Sequence, residues 1–204
     1  MKSKLVVLLV AVVVLGRARG GDAYGGSAAQ FMLESWRPQW YQFFTYQFLH
    51  ANWQHLLGNM LFLFVFGRSI EDRFGHLKFL AIYFLAGLGG NLLHILLNPA
   101  SRVPTIGASG AIAGILGTYF VTFPAARITT LIPLFFLFWT VELPALLLLG
   151  YWFLIQFFTG FQMLAIQSAT GGVAWWGHVG GFLVGLLLAL VFQPRSRRRI
   201  IEVP

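Results

Sequence analysis

The chain has 204 residues, of which 58% are hydrophobic and 10% are charged. Soluble domains have roughly 25% charged residues, so most of this surface must face lipid, and we expect one polytopic membrane domain. The formal net charge of +8 does not indicate a nucleic-acid-binding protein. The basic residues lie in short clusters between apolar runs and at residues 195–199 (RSRRR). This pattern is typical of topology signals beside anionic lipid. The absence of cysteine excludes disulfide and thiol chemistry.

The first apolar segment, residues 5–16, is short. As a helix it would be about 18 Å long, less than the roughly 30 Å of a hydrocarbon core. Lys2 and Lys4 before it also suit a signal peptide, so a shortened first span and a signal-like segment both stay open. After a loop, residues 28–46 carry Trp36 and Trp40, an aromatic composition typical of a segment at the membrane interface.

Five further spans are predicted, at about residues 50–66, 79–97, 109–123, 141–158 and 176–192. The second is expected to end at Gly67-Arg68, and the third ends before Asn98-Pro99. The apolar run from residue 128 to 158 is longer than one span requires and is broken by Pro133 and Pro144. We therefore expect a membrane-dipping segment before the fifth span.

The distribution of basic residues predicts the topology. With the N-terminus inside, ten of the 14 basic residues lie on the cytoplasmic side, which favours two cytoplasmic termini. We expect a multi-pass protein of a bacterial-type plasma membrane. The polar residues discussed below then lie at one depth, in a water-filled cavity that opens to the outer side.

Ser109 and His178 are the leading candidates for chemistry. Each is flanked by glycines in an apolar stretch, at residues 107–110 (GASG) and 177–181 (GHVGG). Polar side chains at membrane depth cost free energy, which favours a buried nucleophile and its base. Two alternatives stay open, since Ser109 also suits a helix N-cap and His178 suits a satisfied core histidine.

Glycine spacing predicts how these two spans meet. Gly110 and Gly114 on the fourth span, and Gly177, Gly181 and Gly185 on the sixth, recur every four residues. Small residues at this spacing permit close helix approach in lipid, although either stripe alone is also explained by ordinary packing. Two such stripes, each beside a catalytic residue type, favour a serine–histidine hydrogen bond of about 2.6–3.2 Å.

His55 and Asn59 lie on one helix face, in a position to stabilise an oxyanion if the second span packs beside the fourth. A metal site is not expected, because His50 and His55 are five residues apart and no outer carboxylate accompanies them. We expect no cofactor either. Glu142 is the one acidic residue expected in the membrane, near the inner end of the fifth span, so packing and backbone contacts would have to orient His178.

Three motifs occur in order along the chain: residues 50–59 (HANWQHLLGN), 107–114 (GASGAIAG) and 177–181 (GHVGG). They resemble the signature motifs of the rhomboid intramembrane serine proteases. The resemblance extends over about residues 42–192 and includes residues 71–75 (EDRFG) and 142–145 (ELPA).

This resemblance implies an all-α bundle of six transmembrane helices, or five if residues 5–16 do not cross, with an interfacial segment after the first. It implies domain boundaries at residues 28–193 for the rhomboid core, after an apolar segment at 1–20 and before a basic cytoplasmic tail at 194–204. Single-span membrane proteins would be the substrates, cut at a helix-destabilising sequence with a small residue before the cut. The fifth span and residues 159–174 would form a lateral gate and cap.

The resemblance also implies roles for individual residues. Ser109 would be the nucleophile and His178 the general base. The backbone N–H of Ser109 would form an oxyanion hole with His55 and Asn59. His50 would occupy a supporting position. Gly107 would shape the loop around the nucleophile.

Two features depart from the family pattern. The first span, residues 5–16, is much shorter than the family's usual one. Ala113 stands where some members have a tyrosine stacked on the catalytic histidine, so other side chains must hold the His178 ring. The alternative function is a proteolytically inactive rhomboid-like protein that binds membrane clients. Such proteins are expected to lack the serine or the histidine, and this chain keeps both. The sequence does not indicate an oligomeric state.

Overall fold

The structure is a computed structural model that describes residues 29–134, 137–166 and 173–192. The short apolar segment at residues 5–16 and the C-terminal basic tail lie outside the described residues, so the two alternatives for the first segment stay predictions. The described chain is mostly helical, and the all-α class predicted from the sequence is confirmed.

An irregular segment precedes the long helices. Two short 3₁₀ turns, Ala29–Phe31 and Tyr46–Phe48, flank helix α1 (Gln42–Thr45). Trp40 and Phe44 are exposed, as the aromatic composition of an interfacial segment requires. The buried side of the segment is anchored, because Tyr46 Oη donates a hydrogen bond to the carbonyl of Gly87, 3.0 Å away.

The second predicted span continues further than the sequence indicated. Helix α2 (Trp53–Phe62) passes through a π-helical turn (Leu63–Gly67) into α3 (Arg68–Phe74) without leaving helical geometry. The expected end at Gly67-Arg68 is therefore wrong, and the chain turns at Gly75, whose φ is 84°. The charged residues after Gly67 misled the prediction, because the buried side chains of α3 include Glu71.

Helix α4 covers His76–Leu97, α5 covers Ser109–Thr122, α6 covers Ala145–Ile166 and α7 covers Trp175–Phe192. Helices α4, α5 and α7 match the predicted spans to within three residues. Helix α6 ends eight residues after the predicted end of the fifth span at residue 158, so residues 159–166 are helical and do not belong to the loop expected at 159–174. Residues 167–172 of that loop lie outside the described residues. Among the described residues, three helical stretches are long and apolar enough to cross a membrane: His76–Leu97, Ala145–Leu164 and Trp175–Phe192. Helix α5 is also apolar but shorter.

The expected membrane-dipping segment is a β-hairpin. Strand β1 (Arg127–Leu134) pairs antiparallel with β2 (Leu137–Pro144), and α6 begins directly after Pro144. The predicted start of the fifth span at about residue 141 is therefore four residues too early. Glu142 lies on β2, exposed and opposite Thr129, and does not belong to the inner end of a span. Pro133 and Pro144 disfavour a helix because each lacks a backbone N–H group. Strand pairing provides hydrogen bonds for the backbone of this segment instead.

Helix α5 forms the centre of the bundle. Every residue from 110 to 118 is buried, and α4 and α7 pack against it from two sides. The π-helical turn covers a third side, where Phe66 meets the ring of Tyr119 edge-on at a centroid distance of 5.1 Å. Helix α6 packs more lightly, since only 17% of its apolar stretch is buried.

The helices α5 and α7 meet backbone to backbone. A Cβ atom on Gly181 would overlap the carbonyl oxygen of Gly110, and one on Gly185 would overlap that of Gly114. Thr118 Oγ1 lies 2.9 Å from the carbonyl oxygens of both Gly114 and Gly185, so its hydroxyl bridges the two helices. The predicted close approach is present, although Gly177 does not require it, because a Cβ there would meet its nearest neighbour at 3.5 Å.

This contact makes a stability prediction. Gly185→Ala should lower the free energy of unfolding by about 1–3 kcal/mol, because backbone atoms on the facing helix cannot move aside cheaply. Gly177→Ala is the matched control on the same helix and should melt at or above the wild-type temperature. Thermal unfolding in detergent measures both, and equal melting temperatures for the two variants would contradict the packing described.

Candidate active site

Ser109 and His178 are joined by a hydrogen bond. Ser109 is the first residue of α5, and His178 lies in the first turn of α7. The Oγ of Ser109 is 2.7 Å from Nε2 of His178, within the range required for a nucleophile and its base. Ala108 occupies the N-cap position, without a side-chain cap bond, so the serine hydroxyl is not used for capping.

The second ring nitrogen of His178 contacts Gln156 of α6. Nδ1 lies 2.7 Å from the amide oxygen Oε1. Because an amide oxygen can only accept, Nδ1 carries the proton, and Nε2 is left as the acceptor for the serine hydroxyl. The two hydrogen bonds therefore select the tautomer that a general base needs.

Aromatic rings hold the imidazole from two directions. Trp152 of α6 lies with its ring centroid 6.1 Å from that of His178 at an interplanar angle of 31°, and Trp175 approaches edge-on at 6.3 Å. Packing and backbone contacts were expected to orient the ring, and this expectation missed the Gln156 side chain. A signal was present in the sequence, because Gln156 is four residues after Trp152 within an apolar helix.

Helix α2 presents His55 and Asn59 to the same site. Asn52 caps the helix by accepting from the backbone N–H of His55 at 2.8 Å. The backbone N–H of Ala51 makes a long contact of 3.4 Å to Nδ1 of His55, which leaves Nε2 as the protonated nitrogen. Asn59 is buried, and its donor Nδ2 has no hydrogen-bond partner among the described residues.

Gly107 brings the loop before Ser109 against these side chains. Its φ is 111°, in the region that favours glycine. A Cβ atom there would lie 2.6 Å from Cε1 and 2.8 Å from Nε2 of His55, and 3.7 Å from Nδ2 of Asn59. The backbone N–H of Gly107 donates to the carbonyl of Tyr46 at 2.9 Å. The glycine therefore permits the close approach, and the Tyr46 contact fixes it.

His50 lies behind the site. It is buried, and its ring meets that of His55 edge-on at a centroid distance of 5.2 Å. Such a contact supports the orientation of the His55 ring. Within the part of the chain that the structure describes, no group of three or more potential metal-ligating side chains occurs.

A cavity of about 220 Å³ opens beside Ser109. Helices α2, α5 and α6 form its walls, and the lining residues are Gln54, His55, Gly58, Asn59, Phe62, Ser109, Ile112, Ala113, Leu116 and Trp152. Most of the lining is apolar, while the polar groups converge at the serine. Its size fits a small side chain and the backbone around it.

Comparison with known proteins decides the family. The model of the rhomboid domain matches residues 37–195. The chain belongs to the rhomboid family. With its long apolar helices, this rhomboid is an integral membrane protein.

Three relatives illustrate the similarity. RHOMBOID-like protein 1 of Arabidopsis thaliana is 34% identical over 170 residues, which is 80% of this chain and 36% of the relative. Rhomboid-like protein 11, chloroplastic, of the same plant is 44% identical over 78 residues, 38% of this chain and 28% of the relative. Rhomboid-like protease 3 of Toxoplasma gondii is 39% identical over 97 residues, which is 48% of this chain and 34% of the relative. The chain thus spans less than half the length of these relatives.

The loop geometry makes a prediction that separates the two glycines flanking Ser109. Gly107→Ala should lower the melting temperature, because the positive φ costs about 1–2 kcal/mol for an alanine and its Cβ would meet the His55 ring. Gly110→Ala is the control, since a Cβ there meets its nearest neighbour at 3.4 Å. Differential scanning fluorimetry compares them, and a Gly107→Ala protein as stable as Gly110→Ala would contradict the loop geometry.

Proposed function

We propose that this rhomboid is an intramembrane serine endopeptidase that cleaves single-span membrane proteins within or near their transmembrane segment. The observation that carries the proposal is the hydrogen bond of 2.7 Å between Ser109 Oγ and His178 Nε2. A nucleophile paired with a base of the correct tautomer is the arrangement that acyl transfer requires.

The proposed reaction starts with proton transfer. His178 Nε2 takes the proton of Ser109 as Oγ attacks the scissile carbonyl and the tetrahedral intermediate forms. The protonated histidine gives this proton to the leaving amine as the C–N bond breaks, and the collapse leaves an ester to the serine. A water molecule, activated by the same nitrogen, hydrolyses the ester and restores the free serine.

Three donors are available for the oxyanion of the intermediate. They are Nε2 of His55, Nδ2 of Asn59 and the backbone N–H of Ser109. Ser109 begins a helix of 14 residues, whose first N–H groups have no partner within the helix and carry the positive end of its dipole. Donors fixed in this way stabilise charge that develops in the transition state, and losing one typically costs about 10²–10³ in kcat.

The surroundings support a membrane-embedded substrate. Gly58 and Ala113 in the cavity lining leave room for a small residue before the cut. Helix α6 buries little of its surface, so we propose that substrates enter laterally beside it. We also propose that both termini are cytoplasmic and that the site opens to the outer side, following the distribution of basic residues.

Cleavage of a membrane reporter tests the proposal. The purified protein is reconstituted with a reporter whose transmembrane segment contains glycine and alanine. The wild type should cleave it, and Ser109→Ala and His178→Ala should each lower kcat at least about 10³-fold, because each removes one half of a unit that acts together.

Ser69→Ala on α3 is the matched control, because it makes the same substitution outside the site and should retain wild-type cleavage. Equal cleavage by the wild type and both site variants would contradict the serine–histidine mechanism. Reporter binding without cleavage by a folded wild type would instead favour the alternative function, an inactive protein that binds membrane clients.

A further inference from the structure

We propose that Gln156 is the positioning residue of His178, a neutral amide in the place that a carboxylate holds in a catalytic triad. This inference rests on the proposed protease function and extends it to a residue outside the three motifs. Gln156 acts through the histidine and touches no reacting atom of the substrate.

Geometry is the first argument. The imidazole of His178 is held at both nitrogens, by Gln156 Oε1 at Nδ1 and by Ser109 Oγ at Nε2, each at 2.7 Å. A ring fixed at both ends cannot flip about its Cβ–Cγ bond without breaking a buried hydrogen bond. The serine contact changes during the reaction, so the amide contact is the one that can persist.

Burial is the second argument. Gln156 is 6% exposed in a helix whose apolar stretch has a mean hydropathy of 1.4. A buried amide costs free energy unless it is hydrogen-bonded, and the contact with His178 offsets that cost. Gln162, on the same helix, is exposed and has no such requirement.

The third argument is the spacing on α6. Trp152 and Gln156 are four residues apart, so they share one helix face, and both contact the His178 ring. Helix α6 thus supplies both the Trp152 ring beside the imidazole and the Gln156 oxygen that accepts from its Nδ1. Together they replace the aromatic side chain that Ala113 does not provide.

A positioning role differs from packing in what it changes. The amide oxygen stabilises the tautomer with Nδ1 protonated and leaves substrate binding untouched. Its loss should therefore lower kcat and alter the tautomer of His178, while KM stays constant. A purely structural role would lower the melting temperature without changing the tautomer of the folded protein.

Three variants of the full chain, reconstituted with the reporter, test this. Gln156→Leu removes the acceptor and should lower kcat about tenfold with KM within about twofold. Gln156→Glu restores an acceptor oxygen and should keep kcat within about threefold of wild type on the high-pH plateau, where the histidine is neutral. Gln162→Leu makes the same substitution on the exposed face and should match the wild type.

Solid-state NMR of protein labelled with ¹⁵N-histidine supplies the second readout, with the His178 signals identified by their loss in His178→Ala. The wild type and Gln162→Leu should each give one neutral form, protonated at Nδ1. Gln156→Leu should give a mixture of the two neutral tautomers, because the acceptor that selects one of them is absent.

Wild-type kcat and a single tautomer in Gln156→Leu would overturn the proposal. Equal loss of kcat in Gln156→Leu and Gln156→Glu, with a lower melting temperature in both, would also overturn it in favour of packing. If Ser109→Ala still cleaved the reporter, the protease mechanism would fail, and the tautomer measurement would still decide the role of Gln156.

Discussion

The backbone contact between α5 and α7 is the constraint on which the site depends. Gly181 lies against the carbonyl of Gly110, and Gly185 lies against that of Gly114. Lipid offers no hydrophobic drive for helices to associate, so close packing of small residues and hydrogen bonds must hold the pair. Since Ser109 precedes Gly110 and His178 is three residues before Gly181, the packing distance of the helices sets the distance between the two side chains.

The remaining elements complete the site around this pair. The N-terminal turn of α2 adds His55, whose position is fixed by Asn52 and by the close approach of Gly107. Helix α6 adds Trp152 and Gln156 from the opposite side. The tightly packed helices α5 and α7 hold the nucleophile and the base. The lightly packed helix α6 supplies the contacts that orient the base. A movement of α6 would therefore change the orientation of His178 through Gln156.

The sequence predicted those features that local patterns encode. Helices α4, α5 and α7 followed from their apolar runs, the first of which ends before Asn98-Pro99, and the glycine spacing predicted that α5 and α7 meet closely. The sequence also nominated three polar residues that line one cavity, Ser109, His55 and Asn59. The spans and these residues could both be predicted because each depends on residue spacing within one segment of the chain.

Features that depend on tertiary contacts were missed. The helix that begins at Trp53 continues past Gly67 and buries Glu71, whereas the charged residues after Gly67 predict a helix end. The segment after Arg127 pairs with itself as strands, which its apolar composition did not distinguish from a membrane dip. Gln156 was overlooked because its partner is 22 residues away on another helix, and the spacing from Trp152 to Gln156 does not identify that partner.

Mapping the covalent adduct of a serine-reactive fluorophosphonate tests the central claim most directly. Ser109, activated by His178, should carry the adduct in the wild type, as identified by tandem mass spectrometry among all serines of the chain. The folded His178→Ala protein should remain unlabelled. An adduct on another serine, or equal labelling of Ser109 without the histidine, would contradict the account.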